Sequence, residues 1–295
     1  MMKDKDTEGS RTAKLVAAWR AMESEKAENE RLFYDPYAKR FAGEDGEKFA
    51  QIMENALKGH RQIIILRTRY IDDYVKKCLK DNAQQLVIFG AGYDCRALRL
   101  LEIREKARVF ELDHPETSAL KVRTIKDMEV CLPPYVEYVT IDFEKEGSER
   151  IIIEKLEEKG YEITRKTIFV LEGVLQYLEE SAVNNILYFI ANNSARGSGL
   201  IFNYFYTPEK VADAIGQSGE VIRNEPLKFQ RQQEQMVQYL KSKGFSKINN
   251  LAINQIKDIY LEKGIINEFF LLEDGGLGDF APTYFGSFVK KLKNR

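Results

Sequence analysis

Residues that build disulfide frameworks and zinc sites are scarce in this chain. Its 295 residues include three cysteines, Cys78, Cys95 and Cys131, and no two of them form a CxxC pair. An odd and sparse set of cysteines does not indicate a disulfide framework. The two histidines, His60 and His114, lie far apart, so a zinc site would have to gather distant ligands. We therefore expect no metal site.

Long hydrophobic runs and an excess of one charge are also missing. The formal net charge is −1, without the basic domain or stripe that nucleic-acid binding calls for. The longest apolar stretches, such as 63–66, are far too short to span a bilayer. Segment 1–11 is charged and lacks the apolar region of a signal peptide. We expect a cytoplasmic protein that binds neither nucleic acid nor membrane, with an oligomeric state that the sequence leaves open.

The chain changes from helical to mixed patterning at about one quarter of its length. Helical periodicity covers 11–29, 46–57 and 61–79. Short β-rich segments then alternate with helical ones. Strands are predicted at 85–89, 108–112, 136–141, 166–171 and 199–204, with helices at 96–106, 115–127, 147–159 and 179–192. This alternation predicts a doubly wound α/β fold with a mostly parallel sheet and helices on both faces.

The C-terminal part has weaker signals. Segment 208–240 has a helical pattern, and 245–252 and 284–290 have strand patterns. Glycines at 275–278 predict a loop before the last strand.

Four consecutive predicted strands end in residues suited to a ligand: Gly90 and Gly92, then Asp113, Asp142 and Glu172. Ligands of parallel α/β sheets bind beyond the carboxyl ends of the strands. Gly90 permits a sharp turn, and Gly92 lets the backbone approach a ligand closely. The alternatives are a tight turn without ligand for the glycines and a helix N-cap or an exposed carboxylate for Glu172.

The spacing favours an adenosine-containing ligand. Asp113 lies 21 positions after Gly92, where an acidic residue accepts hydrogen bonds from a ribose diol. The alternative for Asp113 is a helix N-cap before Pro115. A dinucleotide fold would want a third glycine where Cys95 stands. The additional strand-end carboxylates suit a ligand with a sulfonium cation and an amino group better than one with two phosphates.

A carboxylate on such a ligand needs a cation from the protein. Arg67 and Arg69 lie on the predicted helix at 61–79. Because they are two positions apart, they point to different faces of the helix, and at most one of them serves the site.

Four segments in this order resemble the leucine carboxyl methyltransferase family, including its polyketide-type O-methyltransferase group. They are RTRY at 67–70, GAGYDCR at 90–96, FELDHP at 110–115 and EGVLQYL at 172–178. The resemblance implies a class I methyltransferase fold with S-adenosyl-L-methionine as cofactor and S-adenosyl-L-homocysteine as product. It also implies that the strand at 284–290 is antiparallel and inserted into the sheet.

By position, the resemblance assigns cofactor-binding roles to seven residues. Arg67 would hold the methionine carboxylate, Gly90 and Gly92 would form the cofactor loop, Asp113 would bind the ribose, Asp142 and Phe143 the adenine, and Glu172 the amine. Cys95 stands where the family often has Thr or Ser, a nearly isosteric exchange. The expected organisation is a single methyltransferase domain over 1–295. Its parts are an N-terminal helical lid at 1–60, a cofactor-binding core at 61–206, a helical insertion or cap at 207–244 and C-terminal strands at 245–295.

The expected reaction is methyl transfer to a carboxylate or hydroxyl of an unidentified acceptor, either a small molecule or a protein carboxylate. A carboxylate acceptor needs no general base, and a hydroxyl acceptor would be helped by one. We assign no base, because His114 is expected to be a structural or surface histidine. Tyr204 or Tyr206 is expected to line the acceptor pocket, with core packing as the alternative. Two other functions remain open: a cofactor-binding protein without catalysis, and an NAD-dependent oxidoreductase.

Overall fold

Three helices precede a regular alternation of strands and helices in the computed structural model, which describes residues 10–56, 58–206, 227–266 and 283–290. The helices are α1 (Arg11–Ser24), α2 (Ala38–Ala56), α3 (His60–Lys80), α4 (Arg96–Arg99), α5 (Leu101–Lys106), α6 (Pro115–Asp127), α7 (Glu149–Glu158), α8 (Glu180–Asn192), α9 (Gln233–Ser242) and α10 (Ile253–Glu262). The strands are β1 (Gln85–Phe89), β2 (Arg108–Asp113), β3 (Val136–Thr140), β4 (Thr167–Leu171), β5 (Gly199–Phe205), β6 (Phe245–Ala252) and β7 (Thr283–Lys290). Within these ranges no helix is both long enough and apolar enough to cross a membrane.

The described strands form one sheet in the order β3-β2-β1-β4-β5-β7-β6. Strands β1 to β5 pair in parallel, and β7 lies antiparallel between β5 and β6. The predicted doubly wound α/β class with an inserted antiparallel strand is therefore confirmed. Strand order reverses between β1 and β4, so the carboxyl ends of these two strands flank the switch point where ligands of such sheets bind.

Helices cover both faces of the central strands, which explains why β1 and β4 are apolar at nearly every position. On one face, Phe89 and Phe169 pack against Phe189 of α8, with ring centroids 6.1 Å apart in both pairs. On the other face, Ile71 of α3 packs in the cluster that contains Ile88. The two layers hold the strand ends rigidly at the edge of the sheet.

The N-terminal helices pack on the turn that follows β1. Ser10 caps α1 by accepting a hydrogen bond from the Ala13 N–H at 3.1 Å. Trp19 is buried in a cluster with Tyr93 and Cys95, which come directly after that turn. Apolar residues of the first two helices therefore pack against the turn at the edge of the sheet.

Several predicted boundaries shift. Helix α1 ends at Ser24 instead of continuing to 29, and α2 begins at Ala38, ahead of the predicted 46, with a break in the helix at Gly43. The predicted helix at 96–106 is two helices, because Leu100 adopts an extended backbone between them. Helix α10 is absent from the sequence predictions. Positions 207–226 of the predicted cap and the loop at 275–278 lie outside the described residues.

An ion pair is buried between β2 and α6. The Nζ atom of Lys121 lies 2.7 Å from Oε2 of Glu111, and both side chains are almost fully buried. Burial raises the pKa of Glu111 to about 6, although the Lys121 ammonium opposes that change. A buried carboxylate is tolerated when its counter-charge is buried with it, so the pair ties α6 to the sheet.

The turn after β1 lies directly against the loop after β4. Gly90 has a φ of 59°, in the left-handed region that favours glycine. A Cβ atom at Gly90 would overlap Cγ2 of Val174. The missing side chain therefore allows the two loops to touch.

We predict that Lys121→Met lowers the free energy of unfolding by about 3–5 kcal/mol, because Glu111 is left buried without a counter-charge. Burial raises the folded-state pKa of Glu111 to about 6 even though Lys121 opposes that rise, so removal of Lys121 raises this pKa further. Protonation of Glu111 therefore favours the folded state, and this contribution is lost as pH rises through the folded pKa. The destabilisation measured by urea unfolding should be smaller at about pH 5 than at about pH 8.

The double variant Lys121→Met/Glu111→Leu is the control, because removing both charges leaves no unpaired ion. It should recover roughly half or more of the lost stability. A double variant as unstable as the single one would show that the pair is not the cause.

We predict that Gly90→Ala lowers the free energy of unfolding by about 2–4 kcal/mol, from left-handed strain together with the overlap with Val174. Gly244→Ala is the matched control. Gly244 has a φ of 88°, and a Cβ there meets no atom within 4 Å. That variant should lose only the strain, about 1–2 kcal/mol. Equal losses for the two variants in urea unfolding would contradict the close packing of the two loops.

Candidate functional site

The glycine turn after β1 is hydrogen-bonded to the acid that ends β2. The Gly92 N–H donates to Oδ2 of Asp113 at 2.5 Å, and the His114 N–H donates to Oδ1 at 2.7 Å. Burial raises the pKa of Asp113, although both N–H donors act against that rise. The N-cap of α6 is His114, so the alternative role of Asp113 as that cap does not apply. Asp113 instead faces the glycine turn.

The end of β3 adds a second carboxylate beside the first. Oδ1 of Asp142 accepts a hydrogen bond from the Glu144 N–H at 3.0 Å. Its Oδ2 lies 3.8 Å from Nε2 of His114, which is nearly half exposed. Phe143 is buried and packs against Phe89 with ring centroids 5.9 Å apart. Asp142 therefore borders the site of Asp113, while the Phe143 ring forms part of the core beneath it.

The acid after β4 is held by two arginines. Oε1 of Glu172 lies 2.8 Å from Nε of Arg67, and Oε2 lies 2.6 Å from Nη1 of Arg96. Burial alone would raise the pKa of Glu172, but Arg96 and Arg67 together hold it below its usual value. The next helical turn is capped by Val174, so Glu172 is neither a cap nor an exposed carboxylate.

Arg67 and Arg69 separate as their spacing on α3 requires. Arg69 donates to Asp73 and to the carbonyl of Leu32 and does not reach Glu172. Arg67 donates through Nε, and its two terminal nitrogens lie 3.9 Å from where a Cβ of Gly173 would stand. Within the described part of the chain no hydrogen bond involves those terminal nitrogens. They are therefore available to a ligand carboxylate beside Gly173.

Asp94 and Arg96 are site residues that the sequence interpretation did not single out. Both lie inside the quoted GAGYDCR segment, and Arg96 is 2% exposed. Arg96 contacts Asp72, Asp94 and Glu172 at 2.5–2.7 Å. Burial would raise the pKa of Asp94, but Arg96 lowers it to about 2. The sequence signal that could have identified them is a pair of opposite charges two positions apart, directly after the apolar strand and its glycine turn.

Cys95 lies away from the strand-end acids. Its Sγ is 3.3 Å from the Tyr93 carbonyl oxygen, and the side chain is buried in the cluster that contains Trp19 of α1. Burial raises the pKa of this thiol well above its ordinary value. The exchange of Thr or Ser for Cys therefore falls in the packing between the turn and the N-terminal helices.

The two tyrosines at the end of β5 have different surroundings. Tyr204 is completely buried in the core, and its hydroxyl hydrogen-bonds with the Asn250 side chain at 2.9–3.0 Å. The Tyr206 hydroxyl accepts a hydrogen bond from Gln232 at 2.9 Å. The side chain of Asn203, within β5, accepts a hydrogen bond from the Gly173 N–H at 2.7 Å. Of the two tyrosines, Tyr206 is the one outside the core.

The strand-end groups divide into two halves with complementary chemistry. Asp113 and Asp142 supply acceptor oxygens at the ends of β2 and β3. Arg67 and Glu172 place a cation and an anion 2.8 Å apart at the end of β4. Such an arrangement fits a ligand that has hydroxyl and amine donors at one end and a zwitterionic group at the other. Among the described residues, no group of three or more His, Cys, Asp or Glu could hold a metal ion.

A separate cavity of about 350 Å³ lies between the N-terminal helices and α6. Lys14, Arg40 and Phe41 line it from one side, and Leu120 and Thr124 from the other. None of the strand-end acids belongs to its lining. The strand-end site is therefore defined by its polar groups and not by this cavity.

Known proteins resemble the chain over most of its length. The Bacillus subtilis protein YktD, named as an S-adenosyl-L-methionine-dependent methyltransferase, is 28% identical over 264 residues, covering 85% of this chain and 82% of YktD. A Mycobacterium avium protein with the same kind of name is 27% identical over 259 residues, covering 79% of this chain and 82% of that protein. A solved Thermobifida fusca structure named as a methyltransferase has a TM-score of 0.63 at 13% identity and covers 96% of both chains. The last likeness shows the class I methyltransferase fold.

A family model described as leucine carboxyl methyltransferase matches residues 13–191. This stretch is more than half of the 295 residues and runs from α1 into α8. It includes the glycine turn, the acid that ends β2 and the loop after β4. The chain belongs to the leucine carboxyl methyltransferase family.

Proposed function

We propose that this S-adenosyl-L-methionine-dependent methyltransferase transfers its methyl group to an oxygen atom of the acceptor. Family membership and the names of the relatives support the methyltransferase activity and its cofactor. The juxtaposition of Arg67 and Glu172 at 2.8 Å, next to the turn in which Gly92 binds Asp113, supports the cofactor site. The observation that supports an oxygen acceptor is the match to a family described as leucine carboxyl methyltransferase. The sulfonium of S-adenosyl-L-methionine supplies an activated methyl group.

In this proposal each strand end takes one part of the cofactor. The free terminal nitrogens of Arg67 bind the methionine carboxylate, and Glu172 accepts from the ammonium. Asp113 accepts from the ribose hydroxyls, and Asp142 from the adenine amine. Gly90 and Gly92 keep the turn free of side chains. The Phe143 ring, buried beneath Asp142, supports the adenine pocket from the core side.

The acceptor side is bounded by residues 227–232, which precede α9. The Lys228 N–H donates to the Gln176 carbonyl at 2.7 Å, so this segment returns to the loop after β4. Its Gln232 binds the Tyr206 hydroxyl. Tyr206 is therefore the better candidate for lining the acceptor pocket. Tyr204 lies in the core, where its hydroxyl binds the Asn250 side chain.

A carboxylate acceptor is favoured over a hydroxyl. Methyl transfer is an in-line displacement, so the protein mainly has to align donor and acceptor and exclude water. A carboxylate is already ionised and needs no general base. The Asp94 and Glu172 carboxylates are held by arginines, and burial raises the pKa of Tyr93 beside the glycine turn. These groups suit binding better than proton removal.

We predict that the protein binds S-adenosyl-L-homocysteine and S-adenosyl-L-methionine in calorimetric titrations and does not bind NAD. Asp113→Ala should weaken both interactions by roughly tenfold to a hundredfold, because it removes charge-assisted hydrogen bonds to the ribose. Arg69→Ala is the matched control, since Arg69 pairs with Asp73 away from the site. Its affinity should stay within about twofold of the wild type.

Binding of NAD alone would replace this proposal with a dinucleotide-dependent reaction. Cofactor binding without turnover over a broad panel of carboxylate and hydroxyl acceptors would leave a binding protein instead of an enzyme. If Asp113→Ala and Arg69→Ala lower the cofactor affinity equally, Asp113 does not bind the ribose.

We predict that the methylated product is a methyl ester. With isotopically labelled methyl donor and a panel of carboxylic acids, mild base should release labelled methanol, because esters hydrolyse under conditions that leave ethers and methylamines intact. Base-stable label in every product would contradict a carboxylate acceptor.

Tyr206→Phe should raise KM for the acceptor by roughly three- to tenfold, through loss of one neutral hydrogen bond.

A further inference from the structure

A continuous chain of buried ion pairs connects the N-terminal helices to the loop after β4. Its cations are Arg20, Arg67, Arg96 and Arg99, and its anions are Asp35, Asp72, Asp94 and Glu172. Every one of these side chains is at most 9% exposed. With four charges of each sign, the chain of pairs is electrically neutral.

Neutrality sets a condition on what this site can bind. Bringing a charge into a buried region without its partner is far more unfavourable than bringing in a paired charge. A ligand end that carries both an ammonium and a carboxylate adds no net charge to the neutral network. A ligand end with only one of these charges would leave a buried imbalance.

Arg96 is the point where the network meets the site. Its Nη1 lies 2.5 Å from Asp94 and 2.6 Å from Glu172, and its Nε lies 2.7 Å from Asp72. It holds Oε2 of Glu172, while Arg67 holds Oε1. Each carboxylate oxygen has a second lone-pair position, so Glu172 can still accept from a ligand ammonium. Burial would lower the pKa of Arg96, but its three carboxylates raise it, so it remains charged.

We propose that Arg96 is a positioning residue, acting through Glu172, that makes the site selective for a zwitterionic amino-acid end on its ligand. This inference rests on the proposed function, because the ligand end in question belongs to S-adenosyl-L-methionine. Arg96 does not need to touch the ligand. It fixes the direction and ionisation of Glu172 and balances Asp94 beside the glycine turn.

Two ligands separate this role from general stabilisation of the fold. S-adenosyl-L-homocysteine carries the amino-acid end, and 5′-methylthioadenosine has the same adenosine and sulfur without it. Arg96→Lys keeps the positive charge but cannot span three carboxylates in the planar manner of a guanidinium. This variant should lower the affinity for S-adenosyl-L-homocysteine by about tenfold or more. Its affinity for 5′-methylthioadenosine should stay within about twofold of the wild-type value.

Arg99→Lys is the matched control, because Arg99 binds Asp72 through two nitrogens and does not contact Glu172 or Asp94. It should leave the ratio of the two affinities unchanged. Asp113→Ala should lower the affinity for both ligands, since both contain the ribose. Circular dichroism and thermal unfolding show whether each variant is folded. If Arg96→Lys does not fold, Asp94→Asn provides the same test, because it removes one anchor of Arg96 and should shift the ratio in the same direction.

An affinity ratio that is unchanged in the folded Arg96 or Asp94 variant overturns the inference, as does a shift of equal size in Arg99→Lys. Wild-type protein that binds neither ligand overturns the proposed function itself. Wild-type binding of both ligands with a selective loss in the Arg96 variant supports the positioning role.

Discussion

The ion pair between Arg96 and Glu172 joins the two strand ends at which the sheet reverses its order. Arg96 starts the short helix after the glycine turn of β1, and Glu172 follows β4. Their contact at 2.6 Å and the close approach of Gly90 to Val174 hold the two loops together. Two further groups of the site are positioned relative to these loops, because Asp113 binds the first loop and Arg67 binds the second.

The N-terminal helices are part of this arrangement and not an appendage to it. Arg20 of α1 donates to the Tyr93 carbonyl at 2.5 Å and pairs with Asp35. Tyr93 also stacks on Phe41 of α2 with ring centroids 5.0 Å apart. The N-terminal helices thus contact both the backbone and the side chain of the residue that follows the glycine turn. The helices that cover the turn therefore also fix its shape.

The sequence predicted the elements that local patterns control. Apolar strands such as β1 and β4 were placed within a residue, because burial on both faces and turn residues at each end mark them. The spacing of Gly92 and Asp113 predicted that both lie at the ligand-binding edge of the sheet, but the hydrogen bond between them was not predicted. Contacts between distant segments could not be predicted this way. Nothing in the local pattern shows that Arg96 meets Asp72, or that Leu100 adopts an extended backbone, since both depend on how α3 packs on the sheet.

The inserted position of β7 has a consequence for how the chain acquires its structure. Strand β5 is synthesised long before β7, yet β7 is its antiparallel neighbour along Gly199–Phe205. Until β7 arrives, β5 is an apolar edge with unpaired backbone groups, and such edges promote association between nascent chains. Strand β6 cannot shield it, because β6 pairs only with β7 among the described strands. Completion of the sheet is therefore a late, long-range event, and chaperone protection of the open β5 edge would matter most during that interval.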